Sequence, residues 1–240
     1  MSLRERRRAE LVEQVREIAH RHLVEHGAAA LSLRAIARDA DISVSALYRY
    51  FTDRDALLTD LLVRAFDGHA DVVEAAADAP GLAVDEAILA GFRAYRDWAV
   101  AHPAEFGLAY GSPVPGYAAP GEQTIRAATR IGDSLNARLA RAWDEGHLDP
   151  APIAARAARL DPGTAAQFEQ LRKRRGYGGP IGLTAAAMDA FLAIHGFVVV
   201  EVFGQLRPIT PDARPYFDEV LAEQAANLGL TKRARPRKKV

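Results

Sequence analysis

The sequence predicts an all-α protein, with a three-helix N-terminal unit containing a helix-turn-helix followed by a larger helical bundle. Three observations predict it. Most long segments place apolar residues at 3–4 spacing. Their ends carry Ser, Thr or Asp at the start and Gly or Pro at the stop. The chain has neither credible strands nor internal repeats.

The first helix carries Glu10, Glu13, Glu17 and Glu25 and ends at Gly27. Ser32 is a good N-cap for a second helix, whose stripe is Leu33, Ile36, Ala37 and Ala40. Asp41-Ile42 then breaks the helix without Pro or Gly, and aspartate tolerates the left-handed backbone that such a turn needs. Ser43 or Ser45 can cap the third helix. Ala46, Leu47 and Phe51 face inward there, leaving Ser43, Val44, Ser45, Tyr48, Arg49 and Tyr50 outside. Two tyrosines and an arginine on a solvated face suit a helix whose start meets base edges and whose longer side chains hold phosphates. Thr52 and Asp55 stand at capping-box spacing, which predicts a long helix from about Asp53 to Ala77.

Ala79-Pro80-Gly81 stops that helix. The next, from about Val84 to Ala101, carries Ile88, Leu89, Phe92, Tyr95, Trp98 and Ala99 on its apolar side. A short helix follows His102-Pro103 through Phe106 and Leu108, and residues 111–117 must be loop. A helix from about Gln123 to Glu145 shows Ile125, Ile131, Leu135, Leu139 and Trp143. Residues 147–183, rich in Pro and Gly, predict a flexible surface excursion with short helical pieces. The pattern returns from Leu183 to Leu206, and a last helix runs from about Asp212 to Leu228.

At 240 residues the chain can build one or two domains around a sizeable core. It has no cysteine, which excludes disulfides, thiolate metal sites and a cysteine nucleophile, and which is compatible with a reducing cytosol. The Arg-rich start is followed by no apolar run, arguing against a signal peptide. The most apolar stretch, 185–204, is interrupted by Asp189, His195 and Glu201, arguing against a membrane span. Formal net charge is zero; residues 1–54 carry ten Arg against eight acids. Charge is therefore permissive of nucleic-acid binding only through its segregation between faces.

Leu31-Ser32-Leu33-Arg34-x-Ile36-Ala37, Ile42-Ser43, Leu47-Tyr48-x-x-Phe51 and Arg54-Asp55-x-Leu57-Leu58 resemble the DNA-binding domain of the TetR family of bacterial transcriptional regulators. Asp41 stands where that family has glycine. Residues 102–117, with His195-Gly196-x-Val198-x-x-Glu201-x-Phe203-Gly204, are similar to the WHG-type regulatory domain of one TetR subgroup, with Ile194 replacing its Trp. The resemblance implies a cytoplasmic, homodimeric repressor that leaves a palindromic operator when a small apolar or aromatic effector binds. It needs no cofactor or metal and is not an enzyme. It implies a DNA-binding domain over residues 1–52 and a regulatory and dimerisation domain over 53–230, with a basic, disordered tail over 231–240.

Carried over residue by residue, the DNA contacts are Arg34, Ser43, Val44, Ser45, Ala46, Tyr48, Arg49, Tyr50 and Arg54. Tyr48, Tyr50 and Arg54 would serve phosphates, with help from a basic arm of Arg4, Arg6, Arg7 and Arg8. The effector cavity would be lined by Phe92, Tyr95, Trp98, Phe106, Tyr110, Trp143, Phe191 and His195, with the loop 113–117 as its gate. The same aromatics can equally be core, and a lone histidine on an apolar helix is commonly a hydrogen-bonded core residue. The dimer interface would use Val198, Val199, Val202, Phe203, Leu206, Phe217, Val220 and Leu221, unless those stripes fill the protomer.

A different class of reading starts from two short matches. His22-Leu23-Val24-Glu25-His26 fits the H-x-x-E-H pattern of inverted zinc proteases, and Gly132-Asp133-Ser134-Leu135 fits the tetrapeptide of GDSL esterases. A zinc site needs a third ligand and an open cleft, and the esterase serine belongs at a strand end. Both segments instead fall inside predicted helices, so a helical hydrolase is the rival to a DNA-binding switch.

Overall fold

The structure, a computed structural model, describes residues 2–230; the basic tail lies outside the described residues. Eleven α-helices make up the described residues, and they form two compact units. Of the described residues, the first comprises 2–68 and 102–128, the second 69–101 and 129–230. Residues 102–128 thus belong with the N-terminal helices; the boundaries at 68/69 and 128/129 fall inside helices, and the one at 101/102 falls between two.

In the first unit α1 (Leu3–His26) opens with a capping box. The Ser2 hydroxyl accepts from the Glu5 backbone N–H, and the Glu5 carboxylate accepts from that of Ser2. Arg4, Arg6, Arg7 and Arg8 are therefore helical, not a free arm. The Ser32 hydroxyl caps α2 (Leu33–Asp39) and the Ser43 hydroxyl caps α3 (Val44–Leu47), the latter accepting from Ala46 N–H at 3.1 Å. Between them Asp41 sits at φ 54°, the single non-glycine residue at positive φ among the described residues. The cap of α4 (Arg54–Ala77) differs from expectation. Asp53 Oδ1 accepts from Ala56 N–H at 2.7 Å, while the Thr52 hydroxyl donates to Asp53. A carboxylate one residue later reaches the same orphan donors and, being charged, suits the helix start better.

Ile36, Leu47, Leu57 and Leu58 are fully buried at the centre of this unit's core. Arg16 grips Asp60 through Nε and Nη2, at 2.9 and 2.6 Å, and joins α1 to α4. From α6 (Pro103–Tyr110), Glu105 reaches His20 of α1 at 2.5 Å. The loop beyond packs Val114 and Tyr117 onto the core, and the Tyr117 hydroxyl lies 2.9 Å from that of Thr59.

In the second unit the central helix is α10 (Ile181–Val202), packed against α5 (Val84–Ala101), α8 (Pro150–Ala158), α9 (Pro162–Arg175) and α11 (Arg214–Asn227). It is long and apolar enough to cross a membrane, but half of its most apolar window is buried inside the bundle. α8 and α9 correct the expected flexible excursion. Pro150 and Pro162 are first-turn residues behind the capping carboxylates of Asp149 and Asp161, so they start helices instead of breaking them. α8 buries Ile153 and approaches α10 so closely that a Cβ at Gly182 would overlap the Ile153 carbonyl.

α7 (Gly121–Asp144) makes no comparably extensive close approach to another helix. Ion pairs tie its second half to the end of α4. Arg130 meets Asp71 and Glu74 at 2.7 and 2.6 Å, and Arg138 meets Asp78 at 2.8 Å. At the far end of α10 the buried Arg96 guanidinium pairs with Glu201 through Nε and Nη2 and lies over the Phe217 ring.

Candidate nucleic-acid interface

Local capping decides what α3 and the turn after it can present. The Ser43 hydroxyl is spent on Ala46 N–H and lies 3.0 Å from the Ser45 hydroxyl. Leu47 and Phe51 anchor the segment in the core, and Val44 and Tyr50 pack partly against it. Ala46, expected inside, stays half-exposed. Arg34, Ser45, Tyr48 and Arg49 are each exposed.

The Tyr50 ring is 5.7 Å below the Arg8 guanidinium carbon, a cation–π approach. Arg4, Arg7, Arg8, Arg49 and Tyr50, with Leu3 and Leu11, line one open groove. The sequence predicts Arg4, Arg7 and Arg8 in an arm; the capping box on α1 builds them instead into a wall of this groove.

Arg54 has a different position from the one its motif suggested. Its Nε donates to the Leu31 carbonyl at 3.2 Å, and its Nη2 to those of Ala28 and Ala29, both at 3.0 Å. The guanidinium therefore holds the 3₁₀ turn (Ala28–Ala30) that leads into α2.

The second unit contains a cavity of about 30 Å³, room for about two waters. Of the eight aromatic and histidine candidates, Phe92, Tyr95 and Phe191 line it. His195 lies just behind, its Nδ1 sharing a 2.7 Å hydrogen bond with the Tyr95 hydroxyl and its ring stacked on Phe191. Burial pushes this imidazole below the ordinary histidine range. Trp98 stacks on His69 instead, and Trp143 lies beside Gly179. Phe106 and Tyr110 belong to the first unit, where Tyr110 meets Phe66 edge-on. No residue of the loop 113–117 lines the cavity, so the structure gives no gate there. The other nine lining residues were missed, among them Ser134 and Arg138 on α7 and Ile194, which replaces the family's Trp. Arg138 falls three residues after Leu135 on the apolar stripe of its helix, a signal the sequence carried.

Val198, Phe217 and Leu221 are buried in the protomer, filling its core and unable to meet a partner. Val199, Val202, Phe203, Leu206 and Val220 keep exposed surface. So does Leu192, on the same face of α10 as Gly196 and Phe203. A Cβ at Gly196 would meet nothing within 4 Å among the described residues, so their packing does not require that glycine.

The hydrolase matches have no site behind them. His22 Nε2 bonds Asp39 at 2.7 Å, and His26 faces Glu25 at 3.7 Å. No group of three His, Asp or Glu among the described residues could hold a metal. Ser134 is in the middle of α7, and its neighbour Asp133 accepts from the Tyr177 hydroxyl at 2.6 Å.

Two capped helices crossing at a tight turn, with arginine and tyrosine side chains exposed at the second, define a helix-turn-helix DNA-binding protein. The comparisons refine that class. Residues 16–61 match the family described as bacterial regulatory proteins, tetR family, and residues 88–224 match the tetracyclin repressor-like C-terminal domain. The HTH-type transcriptional regulator Rv1816 of Mycobacterium tuberculosis is 38% identical over 204 residues, covering 82% of this chain and 83% of its own. A regulator of Mycobacterium bovis, Mb1846, matches to the same extent. Among solved structures, the regulatory protein SCO4313 superposes with a TM-score of 0.72 at 30% identity, covering 94% of this chain and all of its own. PfmR of Thermus thermophilus, described as a TetR family transcriptional regulator, shares the fold at 18% identity and a TM-score of 0.54, over 91% of this chain and 99% of its own. The chain belongs to the TetR family: it is a DNA-binding transcriptional regulator.

Proposed function

We propose that the chain is a homodimeric repressor of a palindromic operator, released when a small molecule enters the second unit. The observation that supports the DNA-facing part is the groove that Arg4, Arg7 and Arg8 of α1 form with Arg49 and Tyr50, next in sequence to the exposed Ser45 and Tyr48. Tyr48, Tyr50 and the groove arginines hold phosphates. Val44, Ser45 and Ala46 touch base edges or thymine methyls, and Arg34 and Arg49 serve either. One such unit reads only a few base pairs, so recognition needs two copies about one helical turn or more apart. The exposed stripe through Leu192, Val199 and Phe203 on α10, with Val220 on α11, is the surface offered for that pairing.

α4 is the natural lever. Its Leu57, Leu58 and Leu61 are core residues of the first unit, and its Val73 and Ala77 line the cavity of the second. An effector must prefer the state whose half-site spacing misfits DNA, since equal affinity for both states would shift nothing.

The test is selection of the bound operator from random DNA, followed by anisotropy titrations at several salt concentrations. Tyr48→Phe removes a phosphate donor and Arg49→Ala a charge. The arginine change should flatten the salt slope by about one unit if it serves a phosphate, or relax sequence preference if it reads a base. Unchanged affinity in both folded variants refutes this surface.

A further inference from the structure

The cavity of the second unit has one feature that a purely apolar pocket would lack. Its walls are hydrocarbon from four helices: Val73 and Ala77 of α4, Ile88 and Phe92 of α5, Leu135 of α7 and Phe191 of α10. The single charged residue on the lining is Arg138, whose side chain is only 15% exposed. An arginine on the apolar face of a helix is costly unless its donors are satisfied. Nη1 is held by Asp78 Oδ1 at 2.8 Å and by the Ala77 carbonyl at 3.5 Å. Nε and Nη2 bond no described residue and are not sealed from water, which leaves them open to a further acceptor. Asp78 is a loosely held counter-ion: its side chain is 66% exposed. The Arg138 hydrogen bond keeps its carboxyl below the usual carboxylate range.

We propose that the cavity takes an apolar monocarboxylate, with its hydrocarbon tail among α4, α5, α7 and α10 and its carboxylate on Arg138. This rests on the effector-responsive reading above and names the ligand class of that site. The planar guanidinium presents paired donors that match a carboxylate, and a carboxylate brought by an apolar tail meets it in a drier setting than Asp78 does. The cavity's present size requires a wall to yield, and α7 is the wall most free to do so. Its lining residues Ile131, Ser134 and Leu135 are only half-buried, and it makes no extensive close approach to another helix.

The same contact supplies a route to the lever. α7 holds the end of α4 through two clamps, Arg130 on Asp71 and Glu74, and Arg138 on Asp78. A ligand that takes Arg138 from Asp78 opens the second clamp and leaves the first, which frees Asp78, just past the end of α4, from α7.

The test uses the full chain and octanoate as probe, with methyl octanoate as the uncharged control, followed by calorimetric titration. Octanoate should bind at least tenfold more tightly than its ester. Arg138→Gln should abolish that preference, leaving ester binding unchanged. Asp78→Asn removes only the exposed competitor and should tighten octanoate several-fold without affecting the ester, so a poorly folding Arg138 variant would not leave the question open. Equal binding of acid and ester, absence of octanoate binding, or an unchanged preference in both variants overturns the proposal. The operator anisotropy assay is run alongside. Octanoate that binds as expected but leaves DNA bound upholds the site and refutes the effector reading. Release of operator by other compounds without octanoate binding does the reverse.

Discussion

Replacing Arg54 by alanine separates two roles for one guanidinium. In the first unit it donates to the carbonyls of Ala28, Ala29 and Leu31, at 3.0, 3.0 and 3.2 Å. Hydrogen bonds from a charged donor contribute roughly 1.5–3 kcal/mol each when buried. This side chain is 30% exposed and Ala29 lies at the surface, so water can replace part of what is lost. A net destabilisation of about 2–3 kcal/mol follows, which for a chain of this size lowers Tm by roughly 5–10 °C. The assay is a calorimetric melt paired with operator anisotropy against salt at a temperature where the variant is fully folded. We expect the fall in Tm and a salt slope close to wild type. Arg54→Lys keeps the charge but not the fork, and should lose most of the same stability. An alanine variant with unchanged Tm and a salt slope flatter by about one unit would refute the structural role and restore a phosphate contact.

Two further outcomes follow from the second unit. Leu192→Glu with Phe203→Glu should give folded monomers with weakened operator binding in sedimentation and anisotropy, because both side chains are exposed in the protomer. Leu221→Ala should lower Tm without changing assembly, because its side chain is core; dimers that survive the glutamates place the interface elsewhere. Burial lowers the His195 pKa, so between the folded and unfolded values the unfolded chain binds more protons. Stability from this group is therefore present above the unfolded value near 6.5 and lost as pH falls through the folded value. Tm should drop on acidification from pH 7.5 to 5, and His195→Gln should remove part of that slope; identical slopes in wild type and variant would refute the assignment.

The sequence by itself determined the fold class, the helix-turn-helix and most helix boundaries. Those rest on interactions within a few residues of each other. Ser32 and Ser43 cap helices wherever they stand before an apolar stripe, and Asp41 makes its turn from its own backbone preference. Proline misled at 150 and 162 because a breaker and a first-turn residue look alike until the preceding aspartate is counted as the cap. Periodicity marked an apolar face but not what covers it. Val198, Phe217 and Leu221 face α5 and the rest of their own bundle, while Leu192 and Phe203 on the same amphipathic segments face outward. Only the tertiary structure decided that Arg54 holds carbonyls more than twenty residues away, that Phe106 and Tyr110 join the first unit, and that Arg138 faces a cavity with a weakly held partner. Each of these depends on which helix passes which. Aromatic and charged side chains reach several ångströms across such crossings, and no local propensity specifies where the crossing falls.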